Sequence, residues 1–81
     1  MNKLLVFTAS WCAPCKALKP TLAQLDQDRL VYYDIDTALE ERAKHSIGAV
    51  PTLILVDESG TEISRHVGQQ SLSSLQALLD V

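Results

Sequence analysis

The sequence predicts an α/β fold with its elements in the order βαβαββα. Two runs, Leu4-Leu5-Val6-Phe7 and Thr52 to Val56, are apolar at consecutive positions, the pattern of strands covered on both faces. Segments with apolar residues at i, i+3 and i+4 spacing stand beside them, a helical pattern. The last two strands are separated only by Asp57-Glu58-Ser59-Gly60, which has the chemistry of a hairpin turn.

The first strand covers residues 3–7. A helix over about Cys12 to Gln27 then brings Cys15, Leu18, Leu22 and Leu25 to one face, with Lys19, Gln24 and Asp26 outward and a kink expected at Pro20. Leu30 to Ile35, rich in β-branched and aromatic residues, is the second strand; with a crossover helix before it, it should lie parallel to the first in a right-handed βαβ unit. Asp36 or Thr37 is placed to cap the next helix. Thr37-x-x-Glu40 matches a capping box, Leu39, Ala43 and Ile47 should face inward, and Gly48 should end the helix. In the strand Thr61 to Val67, Ile63 and Val67 alternate with Glu62, Ser64 and His66, as in a half-exposed edge strand. Ser71 caps a final helix that packs through Leu72, Leu75, Leu78 and Leu79.

With 81 residues, of which 47% are hydrophobic, the chain makes one domain with a sufficient core, residues 1–81. Its formal net charge is −3 and its seven Lys and Arg are scattered, so no basic stripe points to nucleic acid. No run nears the roughly 18 apolar residues of a membrane span, and the four after Lys3 are too few for a signal-peptide core. Both cysteines sit in one motif, which excludes a disulfide framework and reads as catalytic or metal-binding in a reducing compartment. The cytoplasm is the expected location.

That motif is Trp11-Cys12-Ala13-Pro14-Cys15-Lys16, between the first strand and its helix. Two intervening residues put both sulfurs on one face of a first helical turn, able to close a disulfide or open to two thiols. Unpaired N–H groups and the positive end of the helix dipole would favour thiolate at Cys12, which makes it the nucleophile. Pro14 suits a first turn, where its missing N–H costs no bond. Half of a zinc site is the competing reading, but only His45 and His66 could complete it and their spacing fits no short knuckle. A buried, inert disulfide is the weaker alternative, since so short a loop restricts the unfolded chain little. Trp11 reads as a core anchor or as the lip of a docking surface. Tyr32 and Tyr33 should face opposite ways, Asp34 and Asp36 should be solvated, His45 should complement a helix C-terminus, and His66 should be an exposed edge residue.

The hexapeptide closely resembles the active site of the thioredoxin family, differing from its usual form only by Ala13 in place of Gly. Pro20 matches the family's helix proline, Val50-Pro51-Thr52 its cis-proline segment, and Gly60 and Gly68 its hairpin and strand-end glycines. The resemblance implies the core of the thioredoxin fold, a mixed four-stranded sheet with helices on both faces, lacking the family's first strand and helix. It implies a protein disulfide reductase in which Cys12 attacks, Cys15 resolves, and Trp11, Ala13, Pro14, Val50, Pro51 and Gly68 form the docking rim. Electrons would come from NADPH through a flavoprotein thioredoxin reductase, so the chain, a monomer, would bind no cofactor. Its partners would be that reductase and proteins bearing disulfides. A glutaredoxin-like, glutathione-dependent reductase and a non-catalytic binding subunit are the alternatives. The family's buried aspartate six residues before the first cysteine is here Val6, and its neighbouring lysine is Tyr32. This implies a slower resolving step or a shifted redox poise.

Overall fold

The computed structural model describes residues 1–80. In chain order the elements are β1 (Lys3–Thr8), α1 (Ala13–Leu22), a 3₁₀ turn (Gln27–Arg29), β2 (Leu30–Asp34), α2 (Leu39–Lys44), β3 (Thr52–Val56), β4 (Glu62–Val67) and α3 (Leu72–Leu79). The strands form one sheet in the order β2-β1-β3-β4. β1 runs parallel to β2 and antiparallel to β3, and β4 is antiparallel to β3, so the sheet is mixed.

β1 and β3 are central because their residues have no polar face to offer. Leu4 and Val6 point into a cluster with Leu53 and Leu55 of β3, Leu18 and Leu22 of α1, and Leu75 and Leu79 of α3. Leu5 and Phe7 point the other way, into a cluster with Ile35, Ile47, Ile54 and Val56. Each such side chain stabilises the fold by about 1.5–3 kcal/mol when fully buried, so two-sided burial makes this strand pair the backbone of the molecule. Arg29 braces one edge: its guanidinium donates to the carbonyl oxygens of Asn2 at 3.0 Å and Leu79 at 2.5 Å, tying the start of β2 to the N-terminal segment and to the end of α3.

The helices differ from the sequence expectation at their ends. α1 stops at Leu22 rather than Gln27, with Pro20 in its last turn. Pro20 has no N–H to give, and beyond it the bonds tighten to Gln24 N–H to Thr21 O and Leu25 N–H to Leu22 O. The amide of Gln27 then donates to the carbonyls of Leu22 and Leu25 at 2.7 and 2.8 Å, satisfying groups that a longer helix would have used.

α2 departs further. Its N-cap is Ala38, with no side-chain cap, so the capping box at Thr37 and Glu40 does not form. Thr37 instead donates its hydroxyl to the Asp34 carbonyl within the preceding turn. Starting one residue later rotates the helix: Leu39 and Ala43 are exposed, while His45 packs on Phe7 with ring centroids 5.7 Å apart. Burial is the main cause that pushes the His45 pKa down, with the Lys44 charge adding to it. The helix ends at Lys44 rather than Gly48, with Ser46 in the left-handed region at φ 53°. Ile47 N–H to Arg42 O and Ser46 N–H to Ala43 O are the two bonds of a Schellman stop.

β4 is the edge strand, but its faces are reversed from expectation. Ile63 and Val67 are exposed, while Ser64 and His66 face the sheet's leucine-lined side, opposite Leu55 and Leu53. The register shift where β4 meets Leu55 and Val56 sets this phase, since one extra residue turns every following side chain to the other face. His66 is accordingly half-buried rather than exposed, with Nε2 enclosed. The hairpin before it is organised by Asp57, whose Oδ1 accepts from Ser59 N–H, Ser59 Oγ–H and Thr61 N–H. Gly60, at φ 86°, supplies the left-handed residue that the turn needs. The Ser59 hydroxyl, followed by the Thr61 amide, holds the Asp57 carboxyl below its usual range.

Two outcomes are expected. A glycine tolerates the backbone of Ser46, so Ser46→Gly should raise unfolding stability by about 0.5–1 kcal/mol in urea titrations. The carboxylate of Asp57 has a depressed pKa when folded, so its contribution is complete above the unfolded value near pH 4 and is lost as pH falls through the folded one. Asp57→Asn, which keeps an acceptor, should therefore flatten the fall of stability with pH below about 4, read from urea midpoints across that range.

Candidate active site

β1 ends at Thr8 and the chain turns through Ala9, Ser10 and Trp11 into α1. The turn closes when Cys12 N–H donates to Ala9 O at 3.2 Å. Cys12 is the N-cap of α1, with extended backbone at φ −90° and ψ 109°, and its Sγ accepts from Cys15 N–H at 3.2 Å. A sulfur thus occupies the position that a serine or aspartate oxygen takes in other helices. Pro14 lies in the first turn, which contains no acidic residue to oppose charge on that sulfur.

The two cysteines are joined as a disulfide, their Cα atoms 5.2 Å apart. They sit where the second apolar cluster reaches the loop: Ala9, Phe7, Ile35 and Ile47 share it with both cysteines, and Val50 packs against it. Cys12 and Cys15 are 4% and 1% exposed, whereas Ala13 and Pro14 beside them are open to solvent. The pair is therefore shielded on the core side and framed by small apolar groups on the outer side, a setting where a protein segment can reach the sulfurs and bulk water has little room.

The other residues singled out in the sequence come from two further segments. Val50–Pro51 is a cis peptide bond in the approach to β3, with Pro51 buried and Val50 half-buried. Gly68, at φ 92° just beyond β4, donates its N–H to Pro51 O at 2.8 Å, which locks the end of β4 to that bend. Thr52, 2% exposed, donates its hydroxyl to Ala49 O at 2.6 Å and closes the bend from the other side. Trp11 is 65% exposed, and its Nε1–H donates to Asp36 Oδ2 at 3.0 Å.

That last bond corrects the reading of Asp36 as a merely solvated carboxylate. Asp36 lies after β2, and the parallel pairing of β1 with β2 carries it alongside the β1–α1 loop. The carboxylate fixes the indole ring in an otherwise open position. No periodicity marks such a partner, because the two residues are 25 apart in sequence and meet only through the sheet. Tyr33 stacks on Phe7 at 5.1 Å while Tyr32 is exposed, the opposite orientations expected of them. Among the described residues, no three His, Cys, Asp or Glu side chains come together as a bound metal would require.

The thioredoxin family profile matches residues 1–81. Thioredoxin from Chlamydia trachomatis is 38% identical over 80 residues, a match covering 94% of this chain and 78% of the relative. Thioredoxin from Bacillus subtilis is 33% identical over 79 residues, covering 91% of this chain and 75% of the relative. Among solved structures, oxidised mitochondrial thioredoxin 3 from Saccharomyces cerevisiae superposes with a TM-score of 0.85 at 27% identity, covering 99% of this chain and 78% of that one. Malaria parasite thioredoxin-2, described as a component of the protein secretion machinery, gives 0.88 at 26% identity, covering 99% and 82%. With its full length matched to this family and a closed cysteine pair at the first turn of α1, the chain belongs to the thioredoxin family and is a thiol–disulfide oxidoreductase, a dithiol–disulfide reductase.

Proposed function

We propose that Cys12 is the attacking thiolate and Cys15 the resolving thiol in the reduction of protein disulfides. The observation that carries this is the position of Cys12 Sγ as the cap of α1, accepting the Cys15 N–H in a turn free of acidic side chains. That hydrogen bond and the helix dipole both favour negative charge on the sulfur. Cys12 attacks one sulfur of the substrate disulfide and expels the other; the mixed disulfide is then attacked by Cys15, releasing the second substrate thiol and leaving the Cys12–Cys15 disulfide.

The substrate segment docks on Trp11, Ala13, Pro14, Val50, Pro51 and Gly68. Trp11, Ala13 and Pro14 supply exposed apolar surface, and the bend at Val50–Pro51 offers backbone to an extended peptide, a short form of strand addition. Re-reduction comes from a flavoprotein thioredoxin reductase that draws on NADPH, and the chain itself carries no cofactor. The chain works as a single-domain monomer in the cytoplasm; among the described residues no helix is long and apolar enough to cross a membrane.

Two measurements test this. Cys12→Ser should abolish insulin-type disulfide reduction, while Cys15→Ser should accumulate mixed disulfides detectable by mass; normal turnover of Cys15→Ser would show a monothiol route instead. An equilibrium titration of the pair in glutathione buffers should place the potential near or below about −230 mV, whereas about −180 mV or higher would indicate a glutaredoxin-like or oxidising role.

A further inference from the structure

Resolution requires Cys15 to give up a proton, yet Cys15 is 1% exposed and its neighbours in the apolar cluster, Phe7, Ala9, Ile35, Ile47 and Ile54, include none that can take one. Beside Cys15 there is also a polar opening. There a cavity of about 290 Å³ is lined by Cys15, Thr8, Ser10, Lys16, Lys19 and Asp34. A cavity of that size with hydroxyl, ammonium and carboxylate groups around it has the room and the polar partners that water needs.

The fold builds this cavity from three elements. Thr8 and Asp34 are paired in the parallel register of β1 and β2, so their side chains leave the same face of the sheet, the face that α1 covers. Lys16 and Lys19 are one turn apart on α1 and close the opposite wall. Asp34 is half-buried in the cavity wall, and its Oδ1 accepts from Asp36 N–H at 2.8 Å, which holds the carboxyl in place. The charged groups across the cavity from it are Lys16 and Lys19, while the carboxylate of Asp36 on its own loop is taken by the Trp11 indole.

The geometry points to Asp34 as the proton acceptor for Cys15 in the resolving step, acting through cavity water beside the Thr8 hydroxyl. The assignment rests on Cys15 being the resolving thiol. In the forward step Cys15 Sγ bonds to Cys12 Sγ as the Cys12–substrate S–S bond breaks; the substrate sulfur leaves with the bonding pair, and the Cys15 proton passes through water to Asp34. In re-reduction a partner thiolate attacks Cys12, Cys15 leaves with the bonding pair, and the same carboxyl returns the proton. Electrons and protons balance with the dithiol and disulfide alone.

The test separates the two chemical steps by rapid acid quench and mass analysis, using the reduced chain and a peptide disulfide. In Asp34→Asn, which keeps the acceptor for Asp36 N–H, formation of the mixed disulfide should be unchanged while its decay slows about tenfold or more at neutral pH. In Asp34→Asn the decay should instead rise with pH as the Cys15 thiol ionises without help, so that its deficit against the unmodified chain narrows toward alkaline pH. In Asp34→Ala, added formate should restore the decay rate in proportion to its concentration. Unchanged decay in Asp34→Asn, or slow decay that neither changes its pH profile nor responds to formate, would overturn the role of Asp34. Failure of Cys15→Ser to trap any mixed disulfide would instead overturn the dithiol assignment itself, so the two failures are distinguishable.

Discussion

Everything in this molecule is positioned by the pairing of β1 between β2 and β3, with apolar side chains leaving both of its faces. An all-apolar strand has no stable place at an edge or on a solvated face, so it takes the centre and its neighbours must cover it. Once β1 is fixed, its C-terminal end fixes the loop that carries Trp11 and Cys12, and its parallel partner β2 delivers Asp34 and Asp36 to the same rim. Its antiparallel partner β3 brings Val50 and Pro51 there from the other side, because β3 begins where β1 ends. The site is thus an end of the sheet, where three segments far apart in sequence converge.

Electrostatics and shielding act together at that rim. Cys12 Sγ takes an amide hydrogen bond at the start of a helix, while the remaining surroundings of the pair are aliphatic or aromatic. Removing water strengthens the interaction of the sulfur with the helix end, and it also denies Cys15 an easy proton sink. The polar cavity on the α1 side answers that second consequence: it admits water and a carboxylate to one cysteine without opening the apolar cluster that holds both. Val6, on the leucine-lined face, offers no such group, so acid–base chemistry here falls to the strand edge rather than the core.

The misread elements share a physical cause. α2 is six residues long, too short for its apolar pattern to outweigh how its ends are held, and the turn through Asp34 to Ala38 sets its phase. β4 has one bulge, and a single inserted residue exchanges its two faces. In both cases a few local hydrogen bonds decided an orientation that hydrophobic alternation had suggested differently. α1 is the milder case, where Pro20 and the Gln27 side chain ended the helix early while Leu25 still reached the core.

What the sequence determined by itself was whatever depends on neighbours along the chain. The all-apolar runs identified β1 and β3, helical spacing and the Ser71 cap identified α3, and the Cys-x-x-Cys pair with Pro14 located the first turn of α1. Each of these signals arises from covalent spacing and backbone preference, which are present before any folding. Tertiary structure alone decided which distant groups meet: Asp36 with the Trp11 indole, Gly68 with the Pro51 carbonyl, and Thr8 with Asp34 around the cavity beside Cys15. Those contacts are set by strand order and register, which follow from the burial of the whole sheet, and no residue announces them in its own local pattern.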